Sequence, residues 1–170
     1  LQMQGAKLPE SALRRGLQLV DSPARIQVLR WNPTVIIDTA HNDASIEALL
    51  NVIQASFPQR PRRLVFGATR GKDVTGMLRR MIGHFDQILC TRYLNNPRAV
   101  PPDELLHEAR RLTSQTQRTV DLLAFSTPAA AWQKIQEQAG PQDLVCLTGS
   151  FFIAAELLAV IRAQQDPVAD

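Results

Sequence analysis

Asp38, His41 and Asn42 stand within five positions of one another, directly after the apolar run Val35-Ile36-Ile37. That run reads as a buried strand, and Ile46, Leu49, Leu50 and Ile53 form an i, i+3, i+4, i+7 stripe that reads as the helix after it. An acid at the carboxyl end of a strand can accept both hydroxyls of a ribose. A histidine just before a helix start, where free amides and the helix dipole favour an anion, can donate to a phosphate or a carboxylate. The same residues also suit a structural turn in which Asp38 and Asn42 satisfy backbone amides, with Asp43 expected as the helix N-cap and Glu47 near the first turn. Spacing alone leaves the two uses balanced.

Two further junctions have the same form. Gly67-Ala68-Thr69-Arg70-Gly71-Lys72-Asp73 follows Leu64-Val65-Phe66, but only three residues separate its glycines, and Asp73 stands where a Walker loop needs a magnesium-binding hydroxyl. Two glycines and a lysine at a helix start still make a carboxylate or phosphate site; the structural alternative is a solvent-facing Lys72 with Asp73 as N-cap. The run Leu144 to Thr148 leads into Gly149-Ser150-Phe151, where Gly149 permits close backbone approach and Ser150 can cap a helix while offering its hydroxyl. No G-x-G-x-x-G opens the first unit, no G-x-S-x-G elbow is present, and His41, His84 and His107 lack metal-ligand spacing. A dinucleotide-binding domain, a serine hydrolase and a histidine metal centre are all disfavoured.

These junctions need a scaffold that brings strand ends together. Short β-rich runs at 26–31, 34–38, 63–67, 87–91, 119–124 and 143–148 alternate with amphipathic patterns at 44–56, 74–84, 102–113, 128–138 and 151–162. Such alternation predicts an α/β fold, a mostly parallel six-stranded sheet with helices on both faces, whose ligands bind beyond the carboxyl ends of the strands. The stretch from Asn95 to Pro102 reads as a surface loop closed by proline at a helix start. Upstream, Pro9 to Val20 has helical spacing and Asp21-Ser22-Pro23 interrupts it, so residues 1–25 read as a helix and linker belonging to a preceding domain. The first residue, Leu1, points to an excised fragment, and the tail from Gln164 is expected to fray.

Composition suits one globular unit: 170 residues, 45% apolar and 21% charged. No apolar run reaches the roughly 18 residues that span a bilayer, so no membrane partner is expected. Cys90 and Cys146 lie inside apolar runs without CxxC spacing, which predicts buried thiols in a reducing, cytoplasmic setting. Arg60, Arg62, Arg63, Arg70, Lys72, Arg79 and Arg80 crowd a stretch in which Asp73 is the sole acid. A solvated basic face is the expectation for most of them, and sparse aromatics argue against nucleic acid.

Taken together and in order, these motifs resemble the C-terminal domain of folylpolyglutamate synthase, also found as dihydrofolate synthase, in the Mur ligase superfamily. That family shows a W-P-G-R linker, a D-G-A-H-N turn, a G-x-x-x-D-K-D loop and a T-G-S-x-x segment. The counterparts here are Ser22 to Arg25, Asp38 to Asn42, Gly67 to Asp73 and Thr148 to Phe152. Ser22, Ala24, Thr39, Asp43 and Gly71 depart from the pattern, whereas Arg25, Asp38, His41, Lys72 and Ser150 are retained. The departures therefore point to packing or substrate preference.

The resemblance implies a Rossmann-like glutamate-ligase domain over residues 26–170, part of an ATP-dependent enzyme that adds glutamate to a folate through an acyl phosphate. It implies that Arg25, Asp38, His41 and Asn42 face the nucleotide, with Arg25, His41 and Lys72 in the catalytic machinery. Lys72, Ser150 and Phe151 would hold substrate. ATP and Mg2+ are the implied cofactors, with the metal ligands and the P-loop in an N-terminal domain that partners this one. A cell-wall Mur ligase is the neighbouring alternative, disfavoured by the His41-Asn42 pair where a lysine is expected. A non-catalytic α/β binding module is the alternative from another class.

Overall fold

A computed structural model describes residues 9–18 and 23–165. Ser22 of the linker motif, Val20 and the end of the expected fraying tail lie outside them. Among the described residues, six helices, α1 (Glu10–Gln18), α2 (Asp43–Ser56), α3 (Val74–Ile82), α4 (Pro102–Thr113), α5 (Pro128–Gln138) and α6 (Phe151–Gln165), accompany six strands. The strands are β1 (Gln27–Arg30), β2 (Thr34–Ile37), β3 (Arg62–Phe66), β4 (Gln87–Cys90), β5 (Asp121–Ala124) and β6 (Leu144–Thr148).

The sheet runs β1-β2-β6-β3-β4-β5. Only β1 is antiparallel, a hairpin partner on the edge of β2; every other pairing is parallel. Parallel strands need crossovers, and the helices supply them while covering both faces. Strand alternation sorts the core into two layers. Ile36, Leu64, Phe66, Ile88 and Cys146 point to α2, α3 and α4, whereas Val35, Ile37, Val65, Leu89 and Leu147 point to α5 and α6, around Trp132 and Leu157. Each such buried aliphatic or aromatic side chain contributes about 1.5–3 kcal/mol. Both cysteines are free and buried; burial alone pushes the Cys90 thiol up to about 12, so it is inert as a nucleophile at neutral pH.

The basic stretch departs from expectation, since most of its cations are partnered rather than solvated. Arg62 is 3% exposed and donates to the carbonyls of Ile53 and Phe57, closing the end of α2. Arg63 pairs with Asp143 at 2.7 Å, Arg70 with Glu104 at 3.1 Å, and Arg80 with Asp43 and Glu47. The acids come from positions far along the chain, which a local charge count cannot see.

Helices α3 and α4 are joined by Glu108, whose carboxylate accepts two bonds from Arg111 at 2.7 Å and one from the Thr75 hydroxyl at 2.6 Å. Arg111 and then Thr75 hold its pKa down to about 2, against an ordinary 4.5. A depressed carboxylate contributes stability that is complete above its unfolded value and lost as pH falls toward its folded one. Between pH 4.5 and 2 the native chain is therefore expected to lose more stability than Glu108→Gln does. Urea midpoints at several pH values measure the difference; parallel curves would refute it.

Candidate active site

The order β2-β6-β3 sets the three sequence junctions side by side at one end of the sheet, since each follows the carboxyl end of one of these neighbours. Backbone bonds join them laterally. The Asp38 amide donates to Leu147 O, the Gly67 amide to Thr148 O, and the Gly149 amide to Ala40 O, at 2.9, 3.2 and 3.1 Å. Gly149 has φ +121°, and a Cβ there would lie 2.6 Å from Gly67 O and 2.7 Å from the Phe66 ring. Only glycine fits at this crossing.

Asp38 is 8% exposed and braces both sides of the junction. One carboxylate oxygen accepts from the Ala40 amide at 2.7 Å and the other from the Ile26 amide at 2.9 Å. Burial pushes its pKa up; the bonds from Ala40 and Ile26 and the charges of Arg25 and His41 oppose that rise. Ile26 adopts φ +47° and Ala24 φ +55°, left-handed conformations that are strained for a β-branched residue. The glycine that the resembled family carries at the position of Ala24 is the residue least penalised there. Arg25 lies between these two bends and is exposed.

His41 Nδ1 is 2.9 Å from Thr39 O. A carbonyl only accepts, so Nδ1 carries the proton and Nε2 is left for a ligand. The imidazole packs against Phe151 with ring centroids 5.0 Å apart. These two side chains form a shared wall between two cavities. One, of about 300 Å³, is lined by Arg25, Ile26, Asp38, Ala40, His41 and Phe151 among others. The second, of about 220 Å³, is lined by His41, Thr69, Lys72, Arg98, Ser150, Phe151 and Phe152. Lys72 is exposed on the loop before α3, and the Ser150 hydroxyl accepts from the Ile153 amide at 3.2 Å, capping α6.

Six of the seven residues singled out from sequence thus line one cavity or both. Asn42 lines neither. Its side-chain oxygen accepts the Ser45 amide at 2.9 Å, and Ser45 answers with its hydroxyl in a capping box. The expected cap, Asp43, is instead the first helical residue and pairs with Arg80. Asp73 does cap α3, accepting from the Gly76 amide at 2.8 Å. Asn42→Ala is expected to cost about 1 kcal/mol, and Asp43→Ala less, because its pair with Arg80 is half exposed. Chemical denaturation of the two variants compares them directly, and the reverse order would refute this assignment.

The family described as Mur ligase, glutamate ligase domain, matches residues 24–151, well over half of the chain. This chain belongs to that family. As a Mur ligase glutamate-ligase domain it is 30% identical to the dihydrofolate synthase/folylpolyglutamate synthase of Escherichia coli, over 97% of this chain and 36% of that protein. The Mycobacterium tuberculosis protein of the same name is 34% identical over 87% of this chain and 32% of its own length. The solved E. coli FolC in complex with DHPP and ADP superposes with a TM-score of 0.81 at 29% identity, covering 95% of this chain and 36% of that one. The Yersinia pestis bifunctional enzyme complexed with AMPPNP and Mn gives 0.74 at 29% identity, covering 92% and 35%. The chain therefore spans about a third of the length of these relatives.

Within this ligase domain, sequence reasoning missed Arg98 and Phe152. Arg98 belongs to the stretch read as a surface loop, and it reaches the second cavity because Ala99 bridges to Thr69. Among the described residues no group of three or more His, Cys, Asp or Glu side chains could hold a metal ion. No helix there is long and apolar enough to cross a membrane.

Proposed function

We propose that this chain is the C-terminal domain of an ATP-dependent ligase that adds glutamate to a folate, a folylpolyglutamate/dihydrofolate synthase, with residues 1–25 linking it to an N-terminal P-loop domain. The observation that carries the proposal is the meeting of two cavities at His41 and Phe151. One has the donors a nucleotide needs, the other those an acidic amino acid needs. The names of the relatives and the ADP and AMPPNP complexes support the same reading.

ATP supplies a phosphoryl group that activates the folate carboxylate for attack by the glutamate amine. Arg25, a planar fork on a strained bend, binds the terminal phosphate bidentately. Asp38, with each oxygen already taking one amide, keeps a lone pair on each for a ribose hydroxyl. His41, with Nδ1–H fixed on Thr39, presents Nε2 where the two cavities join. Lys72, exposed at the second cavity, offers a cation to a glutamate carboxylate and so helps to orient the attacking amine. Ser150 and Phe151 line the glutamate cavity. Magnesium is assigned no ligand on this chain; its ligands fall to the N-terminal domain, and the free buried thiols agree with a cytoplasmic setting.

The full-length protein is expected to form ADP only when ATP, glutamate and a folate acceptor are all present, and to ignore a muramoyl-peptide acceptor. Residues 1–170 alone are expected to show no glutamate-dependent ATP hydrolysis. Turnover with the muramoyl-peptide or by this chain alone would overturn the assignment.

A further inference from the structure

The second cavity holds a cation that neither the motifs nor the resemblance assigned. Three basic side chains surround its rim or the loop beneath it: Arg70, Lys72 and Arg98. Arg70 is neutralised by Glu104 at 3.1 Å. Lys72 and Arg98 both line the cavity, and neither forms an ion pair with an acid among the described residues. The acid anchoring Arg98's loop is already engaged, since Glu156 accepts the Leu94 and Asn95 amides at 2.9 Å and the Asn95 side-chain amide at 3.0 Å.

Arg98 is also held in place. Its amide donates to Asn96 Oδ1 at 2.9 Å, its carbonyl accepts the Arg70 amide at 2.7 Å, and one guanidinium nitrogen donates to Arg70 O at 3.3 Å. The Val100 amide reaches Ala68 O at 3.0 Å, so the loop that carries Arg98 is tied to the loop that carries Lys72 on both sides of the guanidinium. Gly71, at φ +83°, lets the chain turn beneath it, its Cβ direction meeting only that guanidinium at 3.9 Å. The remaining N–H groups of the fork have no partner among the described residues.

Two cations lining one cavity, with no acid among its lining residues, leave it net positive and suited to an anion. Resting on the glutamate-ligase reading above, we propose that Arg98 is the second carboxylate receptor of the amino-acid site, so that the cavity selects a dicarboxylic amino acid by pairing one carboxylate with Lys72 and the other with Arg98. Lys72 is a point charge that tolerates several approach angles. Arg98, as a planar fork clamped at one nitrogen, sets distance and orientation for the second carboxylate.

The test is steady-state kinetics of the full-length protein carrying Arg98→Gln or Arg98→Lys. Arg98→Gln is expected to raise KM for glutamate about 30- to 100-fold, the loss of a charge-assisted bidentate contact, while kcat and KM for ATP stay within about threefold. Arg98→Lys retains the charge without the fork, and its KM is expected to fall between the two. A glutamate KM within threefold of native in Arg98→Gln would overturn the proposal while leaving the ligase assignment standing. A native protein without glutamate ligation would overturn both. If Arg98→Gln fails to fold, Arg98→Lys decides alone: an unchanged KM refutes the role and a raised KM with native kcat supports it.

Discussion

His41→Ala in the full-length protein is expected to lower kcat/KM for ligation by about 10²- to 10³-fold, with no comparable loss of folded protein. The size follows from position: His41 lines both cavities, and removing one preorganised donor or acceptor at such a centre typically costs two to three orders of magnitude. The small structural effect follows from its bonds. The side chain makes one hydrogen bond, to Thr39 O, and one ring contact, to Phe151, while the backbone amide that starts the turn donates to Ser45 and is unaffected by the substitution. His41→Gln, whose side-chain oxygen can stand in for Nε2 as an acceptor in the cavity, is expected to recover part of the loss. Rates within a factor of five of native for His41→Ala, at matched melting temperature, would refute a role in the reaction.

Gly149→Ala is expected to be the most damaging glycine-to-alanine change among the described residues. A Cβ at that position would sit 2.6 Å from a backbone oxygen and 2.7–2.8 Å from a fully buried ring, at a φ of +121°. Neither neighbour is free to yield, because Gly67 O is part of β3's own junction and Phe66 lies inside the core. Overpacking of this kind, added to a backbone conformation nearly closed to side chains, costs about 3–5 kcal/mol. A domain of this size has only about 5–15 kcal/mol in hand. Gly83→Ala is the matched control, since its Cβ would meet nothing nearer than Arg80 O at 3.9 Å and its φ of −70° suits alanine. It is expected to be neutral or to stabilise by under about 1 kcal/mol. Urea unfolding of the two variants beside native protein checks the contrast; similar midpoints would refute it.

Periodicity revealed the elements because burial on both faces of a parallel sheet imposes apolar runs of a recognisable length, and the six strands fall within one or two residues of the expected bounds. Strand order was not legible. Nothing local in Leu144 to Thr148 says that it inserts between β2 and β3, yet that insertion is what gathers the three junctions. The capping error has a similar origin. Asn42 and Asp43 are both good caps by type, and the choice is made by Arg80, thirty-seven positions away, which takes the aspartate. Arg62 was misread as solvated, and Arg98, which does lie exposed on the expected surface loop, was passed over, for one reason. A charged residue's surroundings are a tertiary fact, so neither the burial of Arg62 nor the cavity beside Arg98 shows until the chain is folded.

Asp38 joins the entry strand to the cleft, and this has a mechanical side. The Ile26 amide is pinned to Asp38 at 2.9 Å, the Ala24 amide to Gln27 Oε1 at 3.0 Å, and Ala24 is itself packed into the core beneath α6. Arg25 therefore rides on a segment with no slack between it and the sheet. With the amides on either side of it pinned, Asp38 acts as a stop: a pull on the chain ahead of Ala24 would be borne by these bonds, and the backbone of Arg25 would keep its place at the cleft.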